Sequence, residues 1–80
     1  MLAYLFPDSK ILVSREGAVK ITGTLAPYHS RIAYFIRELG LEDVTIRFWS
    51  GRFYFPRSID PGTQQRLRNF FFAECPPARQ

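Results

Sequence analysis

Two residue types with catalytic potential occur once each in this chain of 80 residues, His29 and Cys75. A histidine beside a cysteine is the arrangement that activates a thiolate nucleophile. Acid–base or nucleophilic catalysis needs further oriented groups, and zinc needs three or four ligands, so one His and one Cys are too few. Pro76 and Pro77 follow Cys75, so we expect it in a flexible tail. The sequence therefore predicts a protein that is not an enzyme and has no cofactor or metal site.

The second candidate chemistry is recognition by guanidinium groups and aromatic rings. Arg47, Trp49, Arg52 and Tyr54 alternate with apolar residues along the chain. Aromatic rings between cations are typical of proteins that bind single-stranded nucleic acid, and Trp and Arg are also enriched at protein interfaces. As cross-strand neighbours the same residues would stabilise a hairpin, which is the more ordinary explanation. We predict the binding surface at these four residues.

These residues belong to a predicted β-hairpin, Val44–Phe55, that turns at Ser50-Gly51. A two-residue turn pairs Trp49 with Arg52. Because successive side chains of a strand point to opposite sides, the hairpin then has two different faces. One face is apolar: Val44, Ile46, Phe48, Phe53 and Phe55. The opposite face is Thr45, Arg47, Trp49, Arg52 and Tyr54.

A first hairpin is predicted over Lys10–Thr22. A two-residue Glu16-Gly17 turn would mix apolar and charged residues on each face. A three-residue turn with Gly17 left-handed pairs Val13 with Val19 and puts every β-branched residue on one side, so we prefer it.

Two helices complete the pattern. The first, Pro27–Leu39, carries an apolar stripe and ends at Gly40 as a Schellman motif. The second begins with Asp60 as N-cap and Pro61 at N1. Its Gln65 and Asn69 are expected to cap the loop 56–60. A helix cannot bury three consecutive phenylalanines, Phe70, Phe71 and Phe72, so we expect Phe72 to lie outside the core.

The element order ββαββα predicts an α+β fold, a two-layer sandwich in which antiparallel hairpins form one sheet and both helices pack on one face of it. We expect residues 1–75 to form one domain and residues 76–80 a short polar tail. Met1–Phe6 is apolar and fits either an edge strand or a cover on the other sheet face, and the sequence leaves both open.

The stretch from Gly51 to Phe70, GRFYFPRSIDPGTQQRLRNF, resembles a family of short bacterial proteins of unknown function, the DUF3634 type. Those chains pair an early strand–Gly–strand element with a late stretch that contains Q-Q-R-x-R-N-F. The resemblance implies a bacterial protein and supplies no activity.

Composition limits the partners. The net charge is +4, and six apolar residues at the start are too few to span a bilayer, so we expect a basic, cytoplasmic protein without membrane contact. A single cysteine suits a reducing compartment. We expect a non-catalytic binding module that recognises protein, including a second copy of itself. The alternative is weak, sequence-tolerant binding of single-stranded nucleic acid through Arg47, Trp49, Arg52 and Tyr54.

Overall fold

The structure is a computed structural model that describes residues 7–75. It contains four strands and two α-helices, the first helix preceded by a short 3-10 turn at Ala26–Tyr28. The strands are β1 (Ser9–Val13), β2 (Val19–Gly23), β3 (Val44–Trp49) and β4 (Arg52–Tyr54), and the helices are α1 (His29–Leu39) and α2 (Pro61–Glu74). The α+β class is thus confirmed. The segment Met1–Phe6 and the tail 76–80 lie outside the described residues.

The strands form one antiparallel sheet in the order β2-β1-β3-β4. Both hairpin registers agree with the predictions, because Val13 pairs with Val19 and Trp49 pairs with Arg52. The second strand of the hairpin predicted over Val44–Phe55 is one residue shorter than expected, since β4 ends at Tyr54. The pairing of β1 with β3 places the first strand of the chain in the middle of the sheet.

The first helix ends as predicted. The Gly40 N–H donates to the Arg37 carbonyl at 3.0 Å, and the Leu41 N–H donates to the Ile36 carbonyl at 3.3 Å. These are the two hydrogen bonds of a Schellman motif. The start differs from the prediction, because Pro27 belongs to the 3-10 turn and the α-helix begins only at His29.

The second helix begins at its predicted N-cap. The Asp60 carboxylate accepts hydrogen bonds from the hydroxyl and the backbone N–H of Thr63, at 2.7 and 3.0 Å. These bonds, the hydroxyl first, hold the pKa of Asp60 below its ordinary value. A lowered pKa means that this cap stabilises the fold above the pKa of the unfolded chain. The contribution is lost as pH falls through the folded-state pKa.

One detail of this helix was predicted wrongly. Gln65 donates to Asn69 within the helix, at 2.9 Å, and neither side chain is seen to cap the preceding loop. Gln64 makes that contact instead, because its side-chain amide donates to the Ile59 carbonyl at 2.8 Å. Gln64 is half-buried on the helix side that faces the loop, whereas Gln65 is exposed.

The core lies between the apolar side of the sheet and the two helices. Ile11, Ile46 and Phe48 from the sheet are buried together with Ile32 and Ile36 from α1 and with Leu67 and Phe71 from α2. Phe71 stacks on Phe53 at a centroid distance of 4.3 Å. Cys75 is also fully buried, which corrects the expectation of a flexible tail there: its N–H donates to the Phe71 carbonyl and its thiol packs into the core.

Ser9 is a buried polar residue at the junction of the sheet and the first helix. Its side chain is 2% exposed, and its hydroxyl donates to the Thr22 carbonyl at 2.6 Å and accepts from the Leu25 N–H at 3.2 Å. One hydroxyl thus satisfies two backbone groups and fixes the chain as it leaves β2.

Candidate functional site

The four predicted site residues share the face of the sheet that points away from the helices, which we call the outer face. Arg47 lies opposite Tyr54, and Trp49 lies opposite Arg52, as two cross-strand pairs on β3 and β4. Arg52 is exposed, and the other three side chains are half-buried. The structure therefore brings all four together in one patch, as the sequence predicted.

Strand order adds two lysines to this patch. Lys10 on β1 lies directly opposite Arg47, so a row of side chains crosses all four strands: Thr22, Lys10, Arg47 and Tyr54. Lys20 stands on β2 opposite Leu12, on the same face. The alternation in the first hairpin already put both lysines on its polar side. Only the nonlocal pairing of β1 with β3 places Lys10 beside Arg47 and brings Lys20 onto the same face of the sheet.

The outer face carries a single sign of charge. Its strand residues are Lys10, Leu12, Lys20, Thr22, Thr45, Arg47, Trp49, Arg52 and Tyr54, which include four cations and no carboxylate. The acids nearest in the chain lie just outside the strands. Asp8 precedes β1 and accepts from the Ser50 N–H at 2.9 Å, and Asp43 precedes β3. The middle of the face is therefore positively charged between two acidic ends.

A groove lies along β4, at one edge of the sheet. Its volume is about 430 Å³, and it is lined by Gly51, Arg52, Phe53, Tyr54, Arg68 and Phe72. We call it the β4 groove. It combines a strand edge, two guanidinium groups and aromatic rings, and no carboxylate lines it. The sequence did not reveal it, because β4 and α2 meet only in the folded protein.

Phe72 is the exposed aromatic ring of this groove. It is 64% exposed, whereas Phe71 beside it is fully buried and Phe70 stacks on Phe35 at 4.3 Å. The expectation that Phe72 lies outside the core is confirmed. Arg68, one helical turn earlier, lies over the Phe55 ring at 5.1 Å, so its guanidinium group is held beside the end of β4.

His29 has a structural contact at the opposite edge of the sheet. Its Nε2 lies 2.9 Å from the carbonyl oxygen of Val19. Since a carbonyl can only accept, Nε2 carries the hydrogen and donates it. In the register of this hairpin the Val19 carbonyl points away from β1. His29 thus covers an outward-facing acceptor of the edge strand β2.

We expect the substitution His29→Ala to lower the free energy of unfolding by about 1 kcal/mol, because one hydrogen bond to the β2 edge is lost. Urea unfolding followed by circular dichroism measures the change. Ser30→Ala, at the next exposed position of α1, is the control and should stay within about 0.5 kcal/mol of the original protein. Equal stability of the two variants would contradict the structural role of His29.

Cys75 lies in the core, away from the outer face and the β4 groove. Burial and the neighbouring Glu74 raise the pKa of its thiol, which keeps it in the less reactive thiol form at neutral pH. Among residues 7–75, no group of three His, Cys, Asp or Glu side chains stands close enough to hold a metal ion.

Comparison with known proteins gives no relative from which a function could be inferred. No family model, curated protein or solved structure matches it. The resemblance to the DUF3634 type stays a prediction. Within the part of the chain that the structure describes, neither helix is long and apolar enough to cross a membrane. Any functional proposal therefore rests on the outer face and the β4 groove themselves.

Proposed function

We propose that the protein is a non-catalytic interaction module that binds protein through the β4 groove, with a second copy of the chain as its first partner. The observation that carries this proposal is the edge of β4 beside the exposed ring of Phe72. Within residues 7–75, β4 has a strand neighbour on one side only. An edge strand of this kind presents backbone groups to which another strand can add.

The backbone of Phe53 supports strand addition. Trp49 and Arg52 flank a two-residue turn and form a hydrogen-bonded pair, so the next residue, Phe53, directs its N–H and C=O away from β3. Its ring stacks on Phe71 at 4.3 Å and meets the tilted ring of Phe48 at 4.7 Å, and these two contacts fix its position. The outward groups are therefore held in place before any partner arrives, which reduces the entropy lost on binding.

A twofold axis at Phe53 gives the register in which two copies would pair. Antiparallel pairing of β4 with its copy sets Phe53 opposite Phe53 and Arg52 opposite Tyr54 of the other copy. Each guanidinium group then faces an aromatic ring and not another guanidinium group, a pairing that stabilises neighbouring strands. The interface is the same on both copies, as a twofold dimer requires.

Sedimentation equilibrium over a range of protein concentrations tests the proposal. We expect a dimer whose dissociation constant rises at least tenfold in Phe72→Ser, because this ring flanks the paired strands. Tyr34→Ser is the matched control, since Tyr34 is 69% exposed but lies on α1, outside the groove. A protein that stays monomeric up to about 1 mM, the limit of weak association, would overturn self-association. Equal effects of both substitutions would overturn the assignment to the β4 groove.

A further inference from the structure

The outer face carries a second site. We propose that it binds single-stranded nucleic acid, with its cations on the phosphates and Trp49 and Tyr54 on the bases. This site shares Arg52 and Tyr54 with the β4 groove but differs from it in its lysines and in Trp49, and it does not require a second copy of the chain. The partner is inferred from three properties of the face: its charge, its aromatic rings and its shape.

Charge complementarity selects a polyanion. Lys20 and Arg52 are exposed on the two edge strands, and half-buried Lys10 lies between them on β1. Neighbouring strands are about 4.8 Å apart, so these cations are spread across the full width of the sheet. A single small anion would meet only one of them. An extended chain of phosphates that crosses the sheet meets all three and releases counterions at each contact.

The aromatic rings distinguish a nucleic acid from other polyanions. Trp49 and Tyr54 lie on adjacent strands of the same face, with Arg52 opposite Trp49 and Arg47 opposite Tyr54. Bases stack on such rings without regard to sequence, and in a nucleic acid every base is joined to a phosphate that can meet a neighbouring cation. A four-stranded sheet face with its helices behind it is also the surface that several single-strand binders use.

The shape favours a single strand over a duplex. The face is a shallow sheet without a projecting helix or ribbon among residues 7–75 that could enter a major groove. Bases stacked inside a duplex cannot reach Trp49 or Tyr54, whereas those of a single strand can turn towards the sheet.

Fluorescence anisotropy with a labelled single-stranded DNA of about 16 nucleotides tests the proposal. We expect binding tighter than about 100 µM at 50 mM salt, with a slope of log K against log salt of about −2 if Lys10, Lys20 and Arg52 each contact one phosphate. Lys20→Gln should reduce the size of that slope by about 0.7. Arg66→Gln is the control. Arg66 is exposed on α2, so this substitution removes the same amount of charge from the helix layer and not from the outer face.

The stacking contact has its own measurement. Trp49 is the single tryptophan of the chain, so its fluorescence reports directly on this face, and we expect quenching on binding. Trp49→Ala should weaken binding about 5- to 150-fold, and Trp49→Phe should restore part of the loss. Lys20→Gln, at an exposed edge position, tests the same site without disturbing the hairpin. Circular dichroism establishes that each variant is folded.

Several results would overturn the nucleic acid site. They are no anisotropy change at 50 mM salt up to about 100 µM protein, equal effects of Lys20→Gln and Arg66→Gln, or an unchanged affinity in Trp49→Ala. Stronger binding to a duplex of the same sequence, to polyglutamate or to phosphatidylserine vesicles would assign the face to another partner. If the protein dimerises through the β4 groove but binds no oligonucleotide, only this second site is wrong. If the oligonucleotide binds and the protein alone stays monomeric up to about 1 mM, only self-association is wrong.

Discussion

Replacing Gly23 by alanine is expected to lower the free energy of unfolding by about 4 kcal/mol, from backbone strain and overpacking together. Gly23 ends β2 with φ +86°, a left-handed conformation that costs other residues about 1–2 kcal/mol. A Cβ atom at this position would also overlap the carbonyl oxygen of Asp8 and come within 2.7 Å of the Ser9 Cα. Both atoms belong to the backbone, so neither can rotate out of the way.

The overlap would displace the start of β1, where several contacts converge. The Asp8 carbonyl accepts from the Thr24 N–H at 3.1 Å. The Ser9 hydroxyl donates to the Thr22 carbonyl and accepts from the Leu25 N–H. A domain of this size has a total stability of about 5–15 kcal/mol. A loss of about 4 kcal/mol is therefore about a quarter to four-fifths of that total.

Gly17→Ala is the matched control, because Gly17 has nearly the same φ, +84°, but open space around the position of a Cβ. It should cost only the strain of the left-handed conformation, about 1–2 kcal/mol. Urea unfolding of both variants separates strain from overlap. Equal losses in the two variants would mean that the close approach of β1 to Gly23 contributes nothing.

The second large effect is expected for Phe71→Ala, at about 3–5 kcal/mol. Phe71 is fully buried, stacks on Phe53 and meets Phe70 edge-on at 5.7 Å. Its removal leaves a cavity between α2 and the sheet, and the Phe53 ring loses one of its two closest ring partners. The position of β4 depends on the packing of Phe53, so removal of the Phe71 ring should destabilise this edge strand as well.

Phe72→Ala is the comparison for this core substitution. The two phenylalanines are adjacent in sequence, yet Phe72 is 64% exposed, so its loss should change the free energy of unfolding by less than about 1 kcal/mol. Thermal unfolding and near-UV circular dichroism of the two variants test the difference. If Phe72→Ala is as destabilising as Phe71→Ala, Phe72 belongs to the core and is not an exposed lining residue of the β4 groove.

Sequence reasoning succeeded where local chemistry decides the structure. The left-handed residues of each turn and the separation of apolar from polar residues fixed both hairpin registers, and Asp60 and Gly40 marked helix ends. The four residues of the predicted binding surface follow from the register of the second hairpin alone. Each of these inferences involves residues a few positions apart.

It failed where distant segments meet. Nothing in the first hairpin indicates that β1 pairs with β3, so the proximity of Lys10 to Arg47 was hidden. Nothing in the sequence around Gly23 indicates that the backbone of Asp8 and Ser9 approaches it closely. Cys75 looked like part of a tail because prolines follow it, although the last turn of α2 carries it into the core.

The position of β1 in the middle of the sheet also has a consequence for the folding rate. Each hairpin can close over a few residues, but Ser9 pairs with Phe48, across almost half of the chain. A long loop must close before that contact can stabilise the folded chain, and the entropy lost in closing the loop slows folding. The two hairpins can therefore form early and separately. We expect the joining of β1 to β3, where Asp8 accepts from the Ser50 N–H of the second turn, to be the step that limits how fast the domain folds.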